Sequence, residues 1–194
     1  VSKLAKSKPV TWNARSVQYA IALQLDFFKH CMVPNIHLGG NDEMDLAILS
    51  PTKLLWEVEI KISRDDWKRD LDKSKHIDWQ NKKFASTSPA RFYYAVPWKL
   101  VPESDTGGRM LPEWLPKHAG VIAIGNTRDT KSQPDGTQVI TDKPSATIIK
   151  TAKPLHRNQL PQKYIDEMYR KLSIRYWKAA YKNDPGSTII LPEQ

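Results

Sequence analysis

From Leu54 to Ile62 the chain alternates strictly. Leu54, Trp56, Val58, Ile60 and Ile62 share one parity, and Leu55, Glu57, Glu59 and Lys61 share the other. Period-two alternation predicts a β-strand with one apolar and one largely charged face. Glu43 to Leu49 reads as a preceding strand, and Ser50-Pro51-Thr52-Lys53 as the turn of a hairpin. Upstream, Val17, Ala20, Ile21, Leu25 and Phe28 recur at helical spacing behind Asn13, a capping residue. That pattern predicts a helix to about Lys29. Met32 to Leu38 reads as a short strand closed by the turn cluster Gly39-Gly40-Asn41-Asp42.

Downstream, Ser63 is a helix cap with Asp65 and Asp66 in the first turn. The helix it opens is expected to reach about Lys75, with Trp67, Leu71 and Ser74 inward. Arg91 to Val96 is aromatic and β-branched, a central strand ended by Pro97. Residues 98–118, rich in proline and holding Gly107-Gly108, predict irregular chain in which Trp98 and Trp114 pack under the loop or else stack on bases. Gly120 to Ile124 is a strand, and Asn126 to Gly136 has the composition of an insertion. Thr137 to Ile140 and Ala146 to Thr151 suggest a closing hairpin. Pro161 opens a last helix whose expected buried stripe is Ile165, Met168, Tyr169, Leu172 and Tyr176. Its exterior is basic through Lys163, Arg170, Lys171, Arg175, Lys178 and Lys182. A basic arm over residues 1–10 and a tail over 185–194 read as loose ends. A chain of 194 residues fits one domain and can bury a real core.

Charge changes the picture. The chain carries a formal +9, with a pI near 9.5, which points to a polyanionic partner. Cys31 is the single cysteine, so no disulfide framework or cysteine-built zinc site can form within the chain. That favours a reducing, cytoplasmic setting. No apolar run approaches membrane-spanning length, so no membrane partner is expected.

The candidate chemistry lies on the hairpin. Asp45 faces Glu59 and Lys61 from the neighbouring strand, a set able to hold a divalent cation and place an ammonium beside it. The alternative is ordinary: alternating Glu and Lys also decorate solvent-facing sheets, where pairing contributes little. Asp45, thirteen intervening residues, then Glu59-Ile60-Lys61 resembles the signature of the PD-(D/E)XK nuclease superfamily. The text around it, Asp45-Leu46-Ala47-Ile48-Leu49, Trp56 to Ser63, Asp65 to Asp70, Phe92 to Pro97 and Ala119 to Ile122, is similar to MmcB-like DNA-repair nucleases. The likeness covers roughly residues 33–125.

The resemblance implies an α/β, restriction-endonuclease-like fold, a mixed central β-sheet flanked by helices, and a Mg²⁺- or Mn²⁺-dependent deoxyribonuclease acting in repair or phage-related DNA processing. Asp45 and Glu59 would anchor the metal with the Ile60 carbonyl, and Lys61 would orient or activate the attacking water. Glu57, on the same face, would bind a second metal, shape the site or pair with a basic neighbour. Arg64, Lys68, Arg69, Lys73 and Lys75 would hold backbone phosphates, or form a solvated face offset by Asp70, Asp72 and Asp78. The chain departs from the pattern at the first helix, which lacks a glutamate and offers only Gln18 and Gln24, and at Asn35, where an acidic residue is usual. These departures motivate the alternative of a catalytically inactive nuclease-fold module that binds DNA or protein. Relatives often work as homodimers. The five histidines show no close metal-ligand spacing, although His37 is a possible ligand or base. No phosphate-binding or dinucleotide loop occurs.

Overall fold

The computed structural model describes residues 12–26, 28–39, 42–103, 110–132 and 138–183. The basic arm, Gly40-Asn41, Gly107-Gly108, the segment 133–137 and the tail lie outside these residues, and the Lys182 side chain lies outside the described side chains.

Asn13 accepts from the Ser16 amide and Ser16 Oγ accepts from the Asn13 amide, a reciprocal cap that starts α1 (Ala14–Gln24). The helix stops short of Lys29, because Asp26 adopts a positive φ of 58°. Phe28, expected on the inner face, is 87% exposed as a result. Five strands follow in order: β1 (Cys31–Ile36), β2 (Met44–Leu49), β3 (Leu55–Ile60), β4 (Arg91–Pro97) and β5 (Gly120–Ser132). With β6 (Gln138–Lys150) they form one six-stranded mixed sheet in the order β1-β2-β3-β4-β5-β6. β3, β4 and β5 run parallel, and the other neighbours are antiparallel. The fold is therefore α/β, with a mixed central sheet flanked by helices.

Two expectations fail locally. Residues 126–132 are not an insertion: β5 and β6 form a single long hairpin paired from Val121↔Lys150 out to Ser132↔Gln138. Pro144 is tolerated there because β6 is an edge strand with one unpaired side. The helix after Ser63 is also not continuous. It divides into α2 (Arg64–Arg69), a 3₁₀ turn (Asp70–Asp72) and α3 (Ser74–Gln80), because Lys73 is extended at φ −65°, ψ 133°. Trp67 is buried as expected, whereas Ser74 is exposed.

The sheet has two covered faces. Under α1, Leu46, Ile48, Val58, Ile60, Tyr93, Ala95, Ile122 and Ile124 pack into a continuous apolar layer. On the opposite face lie two separate apolar clusters. One joins Val33, Ala47, Leu49 and Leu55 to α4 (Gln162–Asn183) through Ile165 and Met168. The other joins Phe92, Tyr94, Val96 and Val121 to Trp67 and Trp79. Trp114 packs edge-on against Trp67, with centroids 5.1 Å apart. The last helix buries less than its periodicity predicts. Tyr169 and Tyr176 are exposed, since α4 docks at the β1 end of the sheet and turns Ile165 and Met168 inward, with parts of Tyr164 and Leu172.

Candidate active site

β2 and β3 part where the charged residues begin. Their last paired residues toward this end are Leu46 and Val58. Past that point the Ile60 amide donates to Asp45 Oδ2 at 2.7 Å, and Gln18 Nε2 donates to the Asp45 carbonyl at 2.7 Å. The Asp45 carboxylate thus takes the place of a ladder acceptor and sits in the wedge between the strands. β3 continues on its other side, where the Lys61 amide donates to the Ala95 carbonyl at 3.0 Å. Gln18 also donates to Asn35 Oδ1 at 3.0 Å, and Asn35 holds a positive φ of 47°. Both positions that depart from the nuclease pattern therefore lie at the site, as neutral hydrogen-bonding groups. Gln24 is exposed.

The charged face of β3 is covered. Glu57, Glu59 and Lys61 are 3%, 2% and 6% exposed, between the two apolar clusters. This overturns the picture of a solvated Glu/Lys surface. What covers them is the broken helix, and the break supplies the neutralising charge. Lys61 Nζ lies 2.9 Å from Glu59 Oε2 and 2.8 Å from Asp70 Oδ1. Lys73 Nζ lies 3.2 Å from Glu59 Oε2 and 2.6 Å from Asp70 Oδ1. Both contacts to Asp70 Oδ1 are ion pairs to a buried carboxylate. Lys75 reaches Glu59 Oε1 at 2.7 Å and also pairs with Glu57 Oε1.

Lys73 and Lys75 are therefore partners of buried carboxylates, not the surface phosphate clamps expected of them. The extended backbone at Lys73 turns both inward. Arg64, Lys68 and Arg69 remain exposed on the outer side of α2. Glu57 pairs with a basic neighbour, Lys75. His37 lies on the surface, 3.6 Å from Glu43.

Asp70, expected at most as an offsetting charge on a solvated face, is placed by the fold at the centre, 2% exposed. Its other oxygen accepts from Tyr94 Oη at 2.8 Å and lies 3.1 Å from His76 Nε2. His76 Nδ1 in turn lies 3.4 Å from His118 Nε2. The one sequence signal was its place three residues after Trp67 and three before Lys73, a spacing that puts it beneath the helix.

Titration follows from this packing. Burial raises the Asp45 carboxyl, and the Glu59 charge adds to that, against the Ile60 amide and the Lys61 and Lys73 ammoniums. Burial pushes Glu57 up to about 7 despite Lys75. Burial also opposes ionisation of Glu59, but Lys75 and Lys61 together outweigh it and hold that carboxyl at about 2. Burial would lower the Lys61 ammonium; Glu59 and Asp70 win, and its pKa is raised.

Among the described residues, no group of three or more His, Cys, Asp or Glu side chains is arranged to hold a metal ion. The donors of the expected set, two carboxylates and a backbone carbonyl, do fit a hard cation that keeps several waters. Both Glu59 oxygens contact lysines, so a cation ligated there must displace one. Lys73, with a 36% exposed side chain, is the one with room to withdraw. No described helix is long and apolar enough to cross a membrane.

No protein-family model matches the sequence, and comparison with curated proteins finds no match. Among solved structures, the chain is similar to SPO1766, a protein of unknown function from Silicibacter pomeroyi. The TM-score is 0.56 at 16% identity, over 94% of this chain and 99% of that one. At that identity the likeness bears on the fold alone.

Proposed function

We propose that the protein is a metal-dependent deoxyribonuclease of the restriction-endonuclease-like class, hydrolysing phosphodiester bonds at the wedge between β2 and β3. One observation carries this reading. The strands separate at Asp45, so that its carboxylate, Glu59 and the Lys61 ammonium converge where the ladder opens. Asp45, Glu59 and the Ile60 carbonyl would hold Mg²⁺ or Mn²⁺, which when bound neutralises phosphate charge and lowers the pKa of a water. Lys61 stays protonated between Glu59 and Asp70, so its role is to orient that water and stabilise developing charge, and proton abstraction is not its task. Arg64, Lys68 and Arg69 are the exposed cations near the site that would meet the DNA backbone.

The test is cleavage of plasmid and single-stranded DNA with Mg²⁺ or Mn²⁺. Asp45→Asn and Lys61→Met should each lower the rate by about a hundredfold or more, the scale of losing charge stabilisation. Unchanged rates in both would sink the assignment. A second reading, DNA binding without cleavage, is favoured by the lysines that occupy both Glu59 oxygens. It predicts salt-sensitive binding indifferent to the metal and no calorimetric metal signal that depends on Asp45 and Glu59. A cytoplasmic setting and action in DNA repair or phage-related processing complete the proposal.

A further inference from the structure

The last helix carries aromatic surface that the described residues leave exposed. Tyr169, Tyr176 and Trp177 are 55%, 65% and 56% exposed. Tyr176 and Trp177 meet edge to face with centroids 5.2 Å apart, and Tyr169 lies two turns earlier on the same side of the helix as Tyr176. Large rings left in water at this density mark an interaction surface.

Its place in the fold is defined. Arg175 donates to the Pro34 carbonyl and, at 2.7 Å, to the Asn35 carbonyl; Lys171 donates to the His37 carbonyl at 2.7 Å. These bonds cover the open edge of β1 and fix the helix beside Asn35. Asn35 touches Gln18, and Gln18 touches Asp45. The aromatic surface therefore begins one residue from Arg175, which is three contacts from Asp45, through Asn35 and Gln18.

Charge decides the occupant. From Gln162 to Ala179 the helix holds Lys163, Arg170, Lys171, Arg175 and Lys178 against only Asp166 and Glu167. Arg170 and Lys178 are exposed among the rings. A second copy of the chain would bring the same cations face to face. A polyanion with exposed flat bases satisfies both features, since rings stack on bases and cations track phosphates. A duplex hides its base faces and cannot use the rings.

We propose that the Tyr169–Tyr176–Trp177 face of α4, with Arg170 and Lys178, binds single-stranded DNA and leads it to the Asp45 wedge. The inference rests on the proposed nuclease reading for its substrate, yet binding can be measured apart from cleavage. Anisotropy of a labelled oligo(dT) and of a hairpin duplex would be recorded in EDTA on the full chain carrying Asp45→Asn.

Adding Tyr176→Ala and Trp177→Ala should weaken oligo(dT) binding by about tenfold or more while the duplex changes little. Tyr176→Phe with Trp177→Phe should retain binding, since stacking needs only the ring. Equal loss on both ligands, no loss on oligo(dT), or loss in the Phe pair would overturn the proposal. So would concentration-dependent dimerisation abolished by the Ala pair with oligo(dT) binding unchanged. If oligo(dT) binding behaves as expected while the unaltered chain cuts no DNA with Mg²⁺ or Mn²⁺, the nuclease reading fails and this inference stands.

Discussion

The two faces of β3 are built on opposite principles. The face toward α1 is a continuous apolar layer, in which Val58 and Ile60 pack against Leu46, Ile48, Tyr93 and Ala95. The other face carries Glu57, Glu59 and Lys61 beneath the α2–α3 break, between two apolar clusters. Both faces are equally dry. Taking ions out of water costs several kcal/mol each, and pairing only offsets that cost; well-packed apolar residues often hold such a position as well or better. The charged face is thus not what a stability criterion alone would select. Its cost is what makes a functional reading of the Asp45 wedge worth testing.

The largest effect that would sharpen this contrast is at Asp70. Asp70→Ala leaves Lys61 and Lys73 facing a gap and removes the acceptor for Tyr94 and His76. It should cost about 3–5 kcal/mol in urea unfolding, the range for breaking a buried ion pair. Ile48→Val on the apolar face should cost about 1 kcal/mol. Comparable losses would show that the charged network is no more critical than ordinary core.

A smaller effect concerns pH. Burial, with help from His76 and Lys150, lowers the His118 pKa from 6.5 to about 4. In that window the unfolded chain holds the proton and the native state does not, so stability rises with pH. Glu57 has the opposite sign: its pKa rises from 4.5 to about 7, so the native state holds the extra proton and stability falls as pH rises. Between pH 4.5 and 6.5 the two oppose each other. Glu57→Gln should remove one arm, and urea midpoints should then climb more steeply from pH 4.5 to 6.5 than in the unaltered protein. An unchanged or shallower slope would contradict the assignment.

The smallest effect on stability belongs to the exposed cations of α2. Arg64→Ala, Lys68→Ala and Arg69→Ala should each change unfolding by no more than about 0.5 kcal/mol. Each should also reduce the salt dependence of DNA binding by about one counterion. A change in stability like that of Asp70→Ala would place them inside the network.

Much of the fold could be read directly because it rests on local rules. The reciprocal cap at Asn13, the Ser63 cap, the alternation in β3 and the proline that ends β4 each act within a few residues. The errors arose where distant packing decided. Tyr169 and Tyr176 obey helical periodicity, yet no described residue covers them, because α4 meets the sheet through Ile165 and Met168, with Tyr164 and Leu172 beside them. Residues 126–132 look polar enough for a loop and are held as strand by pairing with β6. Lys73 and Lys75 read as surface cations until the extended turn at Lys73 points them at Glu57, Glu59 and Asp70.

The amino-acid order by itself determined that Glu57, Glu59 and Lys61 share one face and that Asp45 stands across a short hairpin from them, because side chains alternate along any strand. Only the tertiary structure decided that this face is buried, that Asp70 lies at its centre and that β2 leaves β3 at Asp45. Covering a face takes elements far apart in the chain, and its energy comes from desolvating charges against partners that no local spacing specifies.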